Sequence, residues 1–283
     1  MQNLNPAPQL QYSIPAVVLK SQQVCRRLGL ASRARTRESV SGMANGLIKP
    51  DFRNQKLCVS YARGNRSMKL LSVNVGLPRE IEWKGKIVRT SIFKKPVAGR
   101  VRVSTLNVEG DQQSDLTVHG GPDKAVYAYP SEHFAFWRTE LPVTDLPWGV
   151  FGENFTTTGL LEESLHIGDR LRVGSAEFVV TQPRMPCFKL GIRFNRSDMV
   201  KRFLQSGRTG FYFAVHKEGE VAADDSIEVL ERDGHNVPVA DIVNLYRGNA
   251  GNQDLLSRVS KLRSLPNSWR EYFRKQLQNP DDK

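Results

Sequence analysis

The chain has 283 residues, 39% of them hydrophobic, and no apolar run near the roughly 20 residues that span a bilayer. Its formal net charge of +12 invites a nucleic-acid surface, but residues 1–67 alone hold 11 Lys or Arg against only Glu38 and Asp51, so the rest of the chain is close to balance and no nucleic-acid partner is expected. Only Cys187 lies outside that basic segment, which excludes a disulfide within the body and a Cys-rich zinc site, and suits a reducing, cytoplasmic setting.

In chain order, the first element is the basic segment 1–67. Rich in Arg, Ser, Asn and Gln and without sustained periodicity, it reads as a disordered extension, with Met68 as an alternative start. An organelle-targeting segment and a nucleic-acid-binding tail are the competing readings. From Met68 to about residue 233 the pattern is mainly β: LLSVNV (70–75), KIVRTSI (86–92), RVRVSTLNV (100–108), AVYAY (125–129), DRLRVG (169–174), AEFVVT (176–181), GFYFAVH (210–216) and SIEVLE (226–231). A hairpin turn is expected at Gly174-Ser175. Two helices interrupt, one over 131–141 with Ser131 as N-cap, one over 197–207 stopped by Gly207. So many short strands point to a barrel. Over 234–283 the period becomes helical: Val239, Ile242, Val243 and Tyr246; Leu255, Leu256, Val259 and Leu262; Trp269, Tyr272, Phe273 and Leu277. Ser268 and Glu271 are spaced as a capping box for the third helix. A small three-helix domain is expected there.

Three stretches carry candidate chemistry. VEGDQQSDLTVHGGPDKAVYAYP (108–130) concentrates Asp111, Asp115, His119, Gly120, Gly121 and Lys124. A glycine pair with a lysine lets an anionic ligand approach backbone N–H groups, although the spacing matches no nucleotide-binding loop. Asp111 and Asp115 read either as turn caps or as an acid–base pair. His119 would need further ligands to hold zinc or iron; His133, expected at a helix surface, and His166 have no recognisable spacing to it. FGENFTTTGL (151–160) offers Glu153 and Asn154 to a polar heterocycle, or else a turn. In TQPRMPCFKL (181–190), Pro183 and Pro186 stiffen the backbone around Cys187, and Arg184 and Lys189 favour its thiolate. A thiolate is a nucleophile, with His119 as its base, or a soft-metal ligand; residue chemistry alone leaves both open.

The order GD-x-x-x-D-L-x-x-HGGPDKAVYAYP, GENF-x-x-x-GL, IGDRLRVG, TQPRMPCFKL resembles the MOSC family, named for the C-terminal domain of molybdenum cofactor sulfurase, and within it the YiiM-type proteins. The resemblance covers about 68–280. It implies a MOSC β-barrel over 68–233 and a "3-alpha" domain over 234–283. It implies the molybdenum cofactor, with Cys187 as metal ligand and Lys95, His119, Gly120, Gly121, Lys124, Glu153, Asn154, Arg184 and Lys189 around it. Pyridoxal phosphate is not expected. Relatives such as the mitochondrial amidoxime-reducing component reduce N-hydroxylated compounds, so the implied activity is reduction of N-hydroxylated purine bases or similar small molecules, with Cys187, His119 and Asp111 as catalytic candidates. No iron–sulfur cysteine set and no flavin or nicotinamide fingerprint is present, so an external flavin or iron–sulfur reductase is the implied electron donor. The alternative is a carrier of molybdenum cofactor or sulfur without turnover of its own.

Overall fold

Strands and helices alternate irregularly along the chain. First come β1 (Lys69–Val75), β2 (Arg79–Trp83), β3 (Lys86–Thr90), β4 (Lys95–Val97), β5 (Val101–Val103) and β6 (Val126–Pro130). They are followed by α1 (His133–Glu140), β7 (Phe155–Thr158), β8 (Arg170–Val173), β9 (Ala176–Pro183), α2 (Phe188–Phe194) and α3 (Met199–Ser206). The last are β10 (Phe211–Lys217), β11 (Gly219–Val221), β12 (Ile227–Glu231), α4 (Val239–Tyr246), α5 (Gln253–Val259) and α6 (Asn267–Gln278). This computed structural model describes residues 67–115, 119–141, 145–248 and 253–278; the basic segment, with Cys25 and Cys58, lies outside them. Among the described residues no helix is long and apolar enough to cross a membrane.

Eight strands form one sheet in the order β12–β8–β9–β10–β6–β7–β1–β4, antiparallel except for the parallel pair β6–β7. The expected closed barrel is not formed as a continuous ladder. The first half of β1 meets the start of β12 at one corner only, where Lys69 bridges Ser226 and the Ile227 amide donates to the Met68 carbonyl at 2.9 Å. The second half of that same β1 edge is taken by β4, through Val73–Val97 and Val75–Lys95, so β12 has no room to continue alongside. The sheet therefore curls until one corner touches and stays open elsewhere. Two short ladders, β2–β3 and β5–β11, lie outside it.

The period-2 pleat sends β6 side chains to two different cores. Val126 and Ala128 join the main cluster with Leu70, Phe155, Phe178, Phe211 and Phe213. Tyr127 and Tyr129 face a second, aromatic cluster with Phe134, Trp137, Phe151 and Phe203. On β10, Phe211 and Phe213 go to the first and Tyr212 packs against the second. The three C-terminal helices form where their apolar stripes predict, and Val239, Ile242, Leu255, Val259 and Phe273 belong to the same buried cluster as the sheet. α4 rests against β9.

Local details depart from the sequence expectations. The hairpin partner of β3 is β2, a short strand missing from the sequence expectations although Glu80 and Glu82 alternate with Ile81 and Trp83; Lys84 and Gly85, both at positive φ, make the turn. Ser131 is not the cap of α1: the helix begins at His133, with Glu132 in the cap position and no side-chain cap. Ser268 lies inside α6, and Glu271 pairs forward with Arg274 rather than back to a capping serine. The turn at Gly174-Ser175 forms as expected, with Val173 opposite Ala176.

Candidate active site

A cleft opens between the segment 90–94, residues 111–114 and 119–124, and the segment 184–189, with about 610 Å³ of empty space, its open mouth included. Three chain regions far apart in sequence build it. β9 delivers Arg184 at its end, because the Arg184 amide is still bonded to the Gly210 carbonyl at 3.2 Å beside β10. The chain then breaks from the sheet at Pro186, and Cys187 becomes the N-cap of α2, in extended conformation. His119, just ahead of the turn Pro122–Lys124, meets it there.

His119 Nε2 lies 3.3 Å from Cys187 Sγ. This contact, 68 residues apart in sequence, is the centre of the cleft. His119 Nδ1 is buried without a hydrogen-bond partner among the described residues. Burial, reinforced by Lys189, Arg184 and Lys124, pushes the imidazole pKa down to about 4, with Asp115 opposing. At neutral pH the ring is therefore uncharged, and it gains a proton only as pH falls towards 4. A neutral imidazole either accepts the thiol proton or donates its own N–H to a thiolate.

Cations surround the pair. Arg184 is 5% exposed; its guanidinium lies over the Tyr127 and Phe203 rings at 5.1 and 5.2 Å, and its Nη1 has no hydrogen-bond partner. Lys189 is buried and donates to Ser114 Oγ at 3.1 Å. Burial lowers the Lys124 pKa, with Asp123 opposing. A buried guanidinium with an unspent N–H facing a cleft is costly unless an anion completes it.

The far wall is a closed network. Asp111 accepts the Gly76 amide at 2.8 Å and the Asn154 side chain at 2.9 Å, and takes Lys94 Nζ on both oxygens. Asn154 also accepts the Tyr127 amide at 3.2 Å and donates to the Asn74 carbonyl at 3.3 Å, tying β6 to β1. With both carboxylate oxygens so engaged, Asp111 is a buried anchor for Lys94 and not an available proton donor. Gly149 and Gly152, both at positive φ, let the turn before β7 press on the segment from Ile92 to Lys94: a Cβ at Gly149 would come within 2.8 Å of the Lys94 carbonyl oxygen.

The cleft thus gathers Asp111, His119, Gly120, Lys124, Asn154, Arg184, Cys187 and Lys189. Three sequence candidates are elsewhere. Lys95, the first residue of β4, is exposed; it is Lys94, just before the strand and bound to Asp111, that lines the cleft. Glu153 is fully buried behind the wall, holding the Gly149 and Phe151 amides at 2.6 and 3.0 Å and the Thr156 hydroxyl at 3.1 Å. Its burial raises the carboxyl pKa to about 7 against the pull of those donors. Gly121 heads the single 3₁₀ turn Pro122–Lys124 and does not line the space. His133 is not a surface residue: it is buried against Glu162, 2.7 Å away. Tyr127, Tyr212 and Ser114 line the cleft and were missed. For the tyrosines a partial signal exists, since each is a polar-tipped aromatic out of phase with the Val, Ala and Phe of its strand, a position that Tyr129 shares without lining the cleft.

Residues 115–228 match the family model of the MOSC domain. The chain is 42% identical to the uncharacterized protein YflK of Bacillus subtilis (strain 168), covering 73% of this chain and 93% of that protein. It is 34% identical to a protein named as a reductase in Gibberella moniliformis (strain M3125 / FGSC 7600), over 68% of this chain but 35% of that protein. Among solved structures, YiiM from Geobacillus stearothermophilus is 35% identical, superposes with a TM-score of 0.63 and covers 74% of this chain and 99% of its own.

Proposed function

The chain belongs to the MOSC domain family, in its YiiM-like branch, and from that membership we propose that it is a molybdenum-cofactor-dependent oxidoreductase that reduces N-hydroxylated small molecules such as N-hydroxylated purine bases. The observation that carries this reading is one soft sulfur, Cys187, opening into a cleft whose buried Arg184 guanidinium has an unspent N–H. The donor set fits the group. Among the described residues no three His, Cys, Asp or Glu side chains gather to hold a metal unaided. A single thiolate is suited to a metal that arrives with sulfur ligands of its own.

Cys187 would be the protein's ligand to molybdenum. Arg184, Lys189 and Lys124 would meet the anionic phosphate of the pterin, with the Gly120 backbone at the same wall. When bound, the cofactor supplies the two-electron chemistry that removes oxygen from an N–OH group. His119, neutral at pH 7, holds or releases a proton at Nε2 beside the sulfur. Tyr127 and Tyr212 give the cleft a flat, aromatic side for a heterocycle. The likeness to a protein named as a reductase supports a redox role. Electrons would come from an external flavin or iron–sulfur reductase.

The Cys187–His119 contact also has the form of a nucleophile and its base, which favours one second reading, a carrier of sulfur or of the cofactor. Both are separated by one experiment. The full chain is expressed in a host that makes molybdenum cofactor, its molybdenum is measured by elemental analysis, and reduction of N-hydroxylaminopurine is followed with an artificial donor. Stoichiometric metal with turnover is expected. Metal without turnover supports the carrier, and absence of metal sinks both. In Cys187→Ser, bound molybdenum is expected to fall more than tenfold; a variant that keeps it refutes the ligand assignment.

A further inference from the structure

Gly120, which lines the cleft, and Gly121 behind it are conformationally permissive, at φ 134° and 84°, and a Cβ on Gly121 would touch nothing within 4 Å. Something outside the loop must therefore fix where Gly120 and Lys124 stand. The Asp123 carbonyl, inside the turn that ends at Lys124, receives Thr181 Oγ1 at 2.7 Å and Gln182 Nε2 at 3.3 Å, both from β9. Gln182 is itself held from the other side. Trp269 of α6 donates its indole Nε1 to Gln182 Oε1 at 2.8 Å.

An indole nitrogen only donates, so it dictates which end of the Gln182 amide faces it. The amide oxygen must point to Trp269, and the NH₂ is then left for Asp123. The indole is in turn fixed by Phe273, stacked at 5.7 Å, and by Tyr246 of α4, edge-on at 5.5 Å. Gln182 is 4% exposed, so water does not substitute for either partner.

We infer that Trp269 and Gln182 are positioning residues for the cleft: the C-terminal helices, through the Trp269–Gln182–Asp123 chain, hold the Gly120–Lys124 wall in place. The consequence for ligand binding rests on the reading that this wall meets an anionic cofactor. The consequence for the loop does not.

Three full-length variants test it. Trp269→Phe keeps the ring stacking and removes the N–H. Gln182→Glu keeps the acceptor for Trp269 and sets an oxygen against the Asp123 carbonyl. Leu277→Ala weakens the packing of α6 without touching the chain of bonds. Hydrogen exchange at the Lys124 and Ala125 amides, retention of molybdenum through dialysis and the thermal midpoint are measured on each. Trp269→Phe and Gln182→Glu are expected to exchange about threefold to tenfold faster at those amides and to lose molybdenum faster by a similar factor, the worth of one hydrogen bond. Leu277→Ala is expected to lower the midpoint and leave both rates alone. Wild-type exchange in Trp269→Phe and Gln182→Glu, or equal acceleration in Leu277→Ala, overturns the inference. If the wild type carries no molybdenum, the cofactor reading fails, while the exchange rates still decide the positioning role.

Discussion

His119 and His133 are both shielded from water, yet they sit in opposite kinds of surroundings. His133 meets Glu162 at 2.7 Å, and the same carboxyl group takes the Gly210 amide at 2.7 Å, so its two oxygens are shared between a side chain and the backbone just before β10. His119 meets Cys187, but its Nδ1 and the neighbouring Arg184 Nη1 are without partners among the described residues. Native structures satisfy nearly all buried polar atoms, so the difference is informative. Saturated bonding marks a joint that holds the fold together. Unspent bonding next to an open cleft marks a place that receives a ligand.

Breaking the saturated side should cost stability. Glu162→Ala strands the Gly210 amide and the His133 ring, and is expected to lower stability by about 2–4 kcal/mol in chemical denaturation while leaving the affinity of the cleft for its ligand unchanged. A destabilisation below 1 kcal/mol would end the contrast. Glu153 sharpens the same side through pH. Its folded pKa, about 7, lies above the usual carboxyl value of 4.5, so the folded state binds the proton more tightly. Stability from this group is present below pH 4.5 and drains away as pH rises through 7, by at most about 3 kcal/mol. In Glu153→Gln that slope should flatten between pH 4.5 and 7; an unchanged pH profile of the denaturation midpoint argues against the raised pKa.

The unsaturated side should respond in the reverse sense. Arg184→Met removes a buried, incompletely paired charge, so the thermal midpoint is expected to hold or rise while molybdenum retention falls about tenfold. A large loss of stability with normal retention would make Arg184 a structural residue. The smallest effect is expected at one of two neighbouring lysines. Lys95→Ala should shift stability by less than about 0.5 kcal/mol and spare the cleft, whereas Lys94→Ala leaves Asp111 without its cation and should be visibly less stable. Equal behaviour of the two would contradict the assignment of Lys94 to the cleft.

Sequence alone was sufficient for whatever depends on local order. The alternation in AEFVVT and GFYFAVH gives β9 and β10, and the stripes of Val239, Ile242 and Val243 or of Trp269 and Phe273 give helices, because an apolar face must be buried at the period of its backbone. Family membership was legible too, since HGGPDK, GENF and PCFKL are contiguous strings. What escaped was set by neighbours. The closed barrel failed because β4 occupies the edge that β12 would need, a competition between segments more than a hundred residues apart. Lys95 gave way to Lys94 because a two-residue lysine run does not say which lysine Asp111 will hold. Glu153 and Asp111 look like free carboxylates in the sequence, and only folding shows that backbone amides and Lys94 have claimed them. Types of side chain and their local period were written in the chain; which of them keep bonding capacity to spare was decided by tertiary structure, because a hydrogen bond needs a partner at about 3 Å and sequence distance does not say who that partner is.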